Sequence, residues 1–304
     1  DCPWSCEYYL KHGEMMPSDG LRILGDYDSI LFGAAGFPTV PDHISLWGLL
    51  LSIRQGFDQY INLRPVKLLP GIPSPLRDKG PEEIDFVCIR ENTEGEYSGV
   101  GGRVHRQTPA EVAVQTSVFT RAGVERVLRY SFELAKKRPR HSLVSATKSN
   151  ALQYSMVFWD EVFEALQAEY PDVACRQYHV DALAARFITA PEDLDVVVAS
   201  NLFGDILTDL GGALQGSLGI PPSGNINPEG RYPSLFEPVH GSAPDIAGKG
   251  IANPIAAIWA ASLMLDHLGQ RDAAGLVLQA IEAVTADGIL LTPDLGGRAT
   301  TQQV

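Results

Sequence analysis

The chain has 304 residues, enough for two domains, and its 45% hydrophobic and 20% charged residues are ordinary for a soluble globular protein. No apolar run approaches the ~18 residues of a membrane span. The formal net charge of −13 argues against a nucleic-acid partner, although a local arginine cluster can still hold a small anion. Cys2 and Cys6 lie near His12 but lack the second paired cluster that a zinc site needs. Cys88 and Cys175 sit in apolar segments and read as small buried hydrophobes. Nothing suggests a disulfide framework, so a reducing cytoplasm is the expected compartment.

The opening "DCPWSCEYYLKHG" has no basic region followed by an apolar one and is no signal peptide. Segment 29–36 is a short apolar run ending in a Gly-rich turn, and 84–92, 141–150 and 194–205 have the same form. Between them, 44–58, 121–138 and 151–169 carry helical periodicity, and a further helix starts at Asn253 and Pro254 as N-cap and N1. Strand–helix alternation predicts an α/β protein with a substantially parallel sheet. Segment 93–118 is too rich in Gly and alternating residues for a core helix, and 219–254 reads as long functional loops. There is no internal repeat, no low-complexity tract and no clean linker, so any domains are interleaved in sequence.

"SNLFGDILTDL" (200–210) places Asp205 and Asp209 four residues apart, on one helix face, in apolar company. Two like charges there are relieved by a divalent cation, and carboxylates without sulfur ligands suit Mg²⁺ or Mn²⁺. Asp181, in "YHVDALAARF", is a third candidate. Arg54, Arg64 and Arg90 offer guanidinium forks for the carboxylates of a small di- or tri-acid. Lys148 and Tyr97 can move a proton on and off an enolate if burial tunes them. The Gly- and Pro-rich stretch 236–254 suits backbone approach to a phosphate-rich ligand. In it, Asp245 can accept from a ribose 2′-hydroxyl, which favours NAD over NADP. No GxGxxG lies between a strand and a helix, so a Rossmann motif is not supported.

"NLRPVK", "RENTEGEYSG", "NLFGDILTDL" and "HGSAPDIAGKGIANP" together resemble the β-decarboxylating dehydrogenase family, which includes isopropylmalate and isocitrate dehydrogenases. "VPDHISLWG" (40–48) with "RENTEGEYSG" and "SATKSN" looks most like its tartrate and D-malate branch. The resemblance implies an isopropylmalate dehydrogenase-like α/β fold of two interleaved domains with a cleft between them. Residues 1–59 and 216–304 would bind the cofactor, and 60–215 the substrate, the metal and a second copy of the chain. It implies Arg54, Arg64, Arg90 and Asn150 for substrate, Tyr97 and Lys148 for acid–base work, and Asp181, Asp205 and Asp209 for metal. Glu237, His240, Gly241, Ser242, Ala243, Pro244, Asp245, Ile246 and Asn253 would hold NAD. The further implied ligands are Mn²⁺ or Mg²⁺, with K⁺ as an additional candidate ion. The implied assembly is a homodimer whose partner lends Lys148 and Asp181, with segment 93–118 as the crossing arm. No membrane or nucleic-acid partner is implied.

The implied activity is NAD-dependent oxidation, with or without decarboxylation, of a malate-type 2-hydroxy diacid. Leu50 and Leu51, one turn before Arg54, leave 3-isopropylmalate as an alternative substrate. A non-catalytic regulatory subunit, or an NAD- or metal-binding module, is the alternative of another class, though the Tyr/Lys/Asp set is complete. Family members begin with a strand and a Gly-rich turn, which places the expected start of the full protein before Asp1. A short C-terminal piece is likewise expected beyond Val304.

Overall fold

The computed structural model describes residues 1–304. The chain opens with α1 (Cys6–His12), α2 (Gly20–Leu24), β1 (Ser29–Leu31), α3 (Asp42–Ser45), α4 (Leu51–Gly56) and β2 (Ile61–Lys67). It continues through β3 (Asp85–Glu91), β4 (Gly95–Val104), β5 (Val112–Val118), α5 (Arg121–Ala135), β6 (Ser142–Thr147) and α6 (Ser155–Gln167). Then come β7 (Ala174–His179), α7 (Val180–Thr189), β8 (Val196–Ala199) and α8 (Asn201–Leu214). The last elements are β9 (Pro222–Ile226), β10 (Ser234–Pro238), α9 (Ile255–His267) and α10 (Arg271–Asp287). This is a mixed α/β fold, and none of its helices is long and apolar enough to cross a membrane.

Two compact units form: Asp1–Asp85 with Gly211–Val304, and Phe86–Leu210. The boundary expected at 59/60 and 215/216 therefore moves. β2 pairs antiparallel with β9, Leu63 facing Gly224, and this pairing holds the chain after residue 59 with the terminal segments.

In the central unit, β3, β8, β6 and β7 pair in that order, all parallel. Val196 sits in register between Val87 and Leu143. All four residues of β8 are buried, the continuous apolar run expected of a parallel strand covered on both faces. α5 starts where the Thr120 hydroxyl accepts from the Gly123 N–H at 3.0 Å. It buries Val124, Val127, Leu128, Ser131, Phe132 and Ala135, a stripe at helical spacing. The Phe132 ring stacks on both Phe163 and Tyr170. β4 and β5 leave this sheet and form their own antiparallel hairpin, the local form that segment 93–118 takes. The hairpin exposes Val100, Val104, Val112 and Val114.

In the terminal unit, β1 lies parallel to β10, β10 antiparallel to β9, and β9 antiparallel to β2. Stretch 219–254, read from sequence as loops, thus contains two strands. Their Pro, Gly, Ser and Asn residues mask strand character, yet β9 and β10 are buried throughout. The helix expected over 44–58 forms as α3, a π turn (Leu46–Leu50) and α4 in unbroken succession. α9 begins at Ile255, whose N–H donates to the Asn253 side chain at 3.0 Å, so Asn253 satisfies the first open amide of the helix from two residues ahead. All four cysteines are free. Cys88 is buried as expected, whereas Cys175 is only part-buried because β7 is the last strand of its sheet, and the N-terminal Cys6 is buried instead.

Candidate functional site

Within the central unit, Arg90 is the penultimate residue of β3 and is almost fully buried. Its Nε and Nη2 donate to Asn201 Oδ1 at 3.0 and 2.7 Å, and its Nη1 pairs with Asp205. The other Asp205 oxygen accepts from the Tyr97 hydroxyl at 3.0 Å. The guanidinium lies 5.2 Å from the Tyr97 ring centroid. Burial raises the Tyr97 pKa, the Asp205 charge raises it further, and Arg90 pulls it partly back. A phenol so placed stays protonated and is suited to donate a proton. Gly204 makes this proximity possible: a Cβ there would lie 2.6 Å from Arg90 Cβ. Sequence reading named Arg90, Tyr97 and Asp205 and placed Asn201 at the carboxyl end of its apolar run, where chemistry is expected, but it did not single out Gly204. A Gly inside an otherwise helical, apolar stretch was the available signal.

Lys148, just after β6, pairs with Asp181 in the first turn of α7. The hydrogen bond from Lys148 holds the Asp181 carboxyl below its usual range. Asp181, Asp209 and Asn150 are exposed. No three His, Cys, Asp or Glu side chains of the chain cluster in a way that could hold a metal, so Asp181, Asp205 and Asp209 do not meet as a triad within one chain. Asp205 and Asp209 still offer two hard carboxylate donors four residues apart on α8, with an exposed Ile206 beside them. That donor set fits Mg²⁺ or Mn²⁺ and leaves the remaining positions to other ligands.

The terminal unit contains a cavity of about 270 Å³ lined by Asp42, Leu50, Arg54, Arg64, Glu237 and His240. Arg54 Nη2 donates to Glu237 Oε1 at 2.9 Å. The same oxygen accepts from Asn225 Nδ2 at 2.7 Å, and Asn225 Oδ1 accepts from Asn62 Nδ2 at 2.9 Å. Both asparagines are fully buried, so a strand-borne amide relay fixes Glu237 beneath the cavity. Gly241 also lines this cavity. Ser242, Ala243, Pro244, Asp245 and Ile246 continue the loop at the surface, with Ala243 at φ 44°. The loop at Gly36 approaches this one closely: a Cβ there would lie 2.6 Å from Ser242 Oγ. Asn253 Nδ2 donates to Asp294 at 3.0 Å. Asp294, which the sequence did not single out, has a lowered pKa: burial raises it, but hydrogen bonds from Ser217, Thr292 and Asn253 outweigh that. Small residues, open backbone and a fixed amide fit a dinucleotide.

The family description "isocitrate/isopropylmalate dehydrogenase" matches residues 1–304. The chain belongs to this family. As a family member it is 58% identical over 301 residues to a probable tartrate dehydrogenase/decarboxylase of Agrobacterium vitis, a match covering 99% of this chain and 82% of the relative. It is 61% identical over 306 residues to the decarboxylating D-malate dehydrogenase of Escherichia coli, covering 99% of this chain and 84% of the relative. The crystal structure of isocitrate dehydrogenase from Methylococcus capsulatus superposes with a TM-score of 0.88 at 34% identity, over 98% of this chain and 86% of the other. The dehydrogenase family thus has its α/β fold in this chain, and the chain is an oxidoreductase.

Proposed function

We propose that the protein oxidises a malate-type 2-hydroxy diacid, D-malate or tartrate, using NAD⁺ and Mn²⁺ or Mg²⁺. The observation that carries this reading is the Tyr97 hydroxyl held on Asp205 beside the buried Arg90. The relatives named for tartrate and D-malate support the substrate class.

Bound NAD⁺ would accept the C2 hydride, and a bound divalent cation would polarise the oxygen on C2. Arg54, Arg64, Arg90 and Asn150 grip the substrate carboxylates and keep C2 oriented. Lys148 takes the hydroxyl proton as the hydride leaves. Loss of CO₂ from C3 of the resulting 2-oxo acid leaves an enolate. Tyr97 then protonates C3, giving pyruvate from D-malate. Asp181, Asp205 and Asp209 would hold the cation, and Glu237, residues 240–246 and Asn253 the dinucleotide. An exposed carboxylate at Asp245 disfavours a 2′-phosphate by like-charge repulsion. The test is a steady-state panel of D-malate, the tartrate stereoisomers and 3-isopropylmalate, with NAD⁺ and NADP⁺ in turn. Turnover of none of them rejects the reading, and equal kcat/KM with NADP⁺ rejects the role of Asp245.

A second reading, oxidation of 3-isopropylmalate, is favoured by Leu46 and Leu50 lining the Arg54 cavity. Leu51 does not support it, because it is buried away from solvent. A higher kcat/KM for 3-isopropylmalate than for D-malate in the same panel would establish it.

The site is proposed to be shared between two copies, Lys148 and Asp181 of one completing Tyr97, Asp205 and Asp209 of the other. Co-refolding Lys148→Ala with Asp205→Ala subunits would place both lesions in one site of each mixed dimer. Random pairing then restores about a quarter of all sites. Mixed dimers without restored activity would mean that each chain builds its site alone.

A further inference from the structure

The turn that leads from Arg90 to Tyr97 carries three glutamates, and each is committed to a different target. Glu91 accepts from the Thr93 N–H at 2.8 Å and the Glu94 N–H at 3.0 Å, closing the turn on itself. Glu94 accepts from the N–H and hydroxyl of Thr120, both at 2.9 Å, at the start of α5. Glu96 accepts from Ser200 Oγ at 2.9 Å and from the Leu202 N–H at 3.0 Å, at the start of α8. The Leu202 amide belongs to the first turn of its helix, where N–H groups lack intrahelical partners and a carboxylate is welcome.

Glu96 therefore joins two elements that the proposed chemistry needs in fixed relation. It precedes Tyr97 on β4, and it grips α8 three residues before Asp205. Asn201 adds a second tie, donating from Nδ2 to the Glu94 carbonyl at 3.1 Å. That tie runs to the backbone ahead of β4, so Glu96 supplies the side-chain grip nearest to Tyr97.

We propose that Glu96 is a positioning residue, which by holding Ser200 and Leu202 sets the distance at which Tyr97 and Asp205 meet. This rests on the reading of Tyr97 as the proton donor. Proton transfer tolerates little misplacement, and a slip of about 1 Å costs on the order of 10²-fold in rate. Glutamine at position 96 can keep both contacts. Its carbonyl accepts from Leu202, and its amide donates to the Ser200 oxygen, since a hydroxyl can act either way. Alanine keeps neither.

The experiment is a double-mutant cycle of Glu96→Ala with Tyr97→Phe, assayed by D-malate oxidation, together with amide hydrogen exchange at Leu202 in the ligand-free protein. Glu96→Ala is expected to lower kcat by about 10–100-fold with KM for NAD⁺ unchanged. In the Tyr97→Phe background its effect should shrink to about twofold, because the residues act as one unit. Glu96→Gln should restore most of the rate. Leu202 exchange should accelerate about tenfold in Glu96→Ala and stay slow in Glu96→Gln. Ser200→Ala, a milder lesion that leaves the Leu202 contact, should lower kcat in the same direction by a smaller factor if Glu96→Ala does not fold. Equal losses in both backgrounds, or unchanged Leu202 exchange in Glu96→Ala, would overturn the inference. If the wild-type protein turns over no 2-hydroxy diacid, the proposed reaction fails and the Leu202 exchange decides the role of Glu96 alone.

Discussion

Arg54 and Glu237 form an ion pair whose side chains are 6% and 7% exposed, whereas those of Lys148 and Asp181 are 29% and 68% exposed. The first pair is anchored from below by Asn225 and Asn62 and belongs to the architecture of its sheet. The second stands at the surface and lacks such backing in the side-chain contacts of its own chain. A buried pair cannot exchange partners without leaving a naked charge in a low-dielectric interior, so Arg54 would keep Glu237 and meet a ligand only through its remaining N–H groups. An exposed pair separates at little cost, because water solvates both ions. Pairing with Lys148 therefore does not tie Asp181 up: the open pair is suited to chemistry in which the lysine, as its neutral amine, takes a proton and the anion takes a metal.

The sharpest way to break this contrast is Lys148→Ala. Activity should fall by about 10²–10⁴-fold, the range for losing a general base, while the urea midpoint stays where it is. A shifted midpoint would make the open pair structural. Glu237→Ala should do the reverse first, costing about 3–5 kcal/mol of stability by stranding buried Arg54, as read from chemical denaturation. Wild-type stability in that variant would mean that the relay is dispensable. Asn225→Leu removes the amide beneath Glu237 and should cost about 1–3 kcal/mol, measured the same way.

Glu91 sharpens the comparison as a buried acid fixed by turn amides rather than by a cation. Burial pushes its pKa from its ordinary 4.5 up to about 7, against the pull of the Thr93 and Glu94 N–H groups. The folded chain thus holds a proton that the unfolded chain has released between those values. The stability this contributes is fully present below about pH 4.5 and is lost as pH rises through about 7. Over that window the wild-type minus Glu91→Gln difference should change by at most about 1.4 kcal/mol per pH unit. A flat difference would show that Glu91 ionises at its ordinary pKa.

Much of this molecule was legible before folding. Apolar runs such as "LDVVVAS" can be satisfied only as covered parallel strands, and helical stripes such as Val124–Ala135 leave one face for burial. The spacing of Asp205 and Asp209 identified a shared helix face without coordinates. What the sequence could not disclose were contacts between residues distant along it. β9 and β10 are hidden in a Pro/Gly stretch, because their strand character comes from pairing with β2 and β1 rather than from propensity. Asn62 and Asn225 look like ordinary polar residues until long-range packing buries them beneath Glu237. Gly204 acquires its meaning only when α8 lies against β3, and Glu96 only when β4 reaches the start of α8. Periodicity is a local property of the chain and can be read along it. Partner choice for a buried polar group depends on which distant group arrives beside it, and that is decided only once the chain has folded.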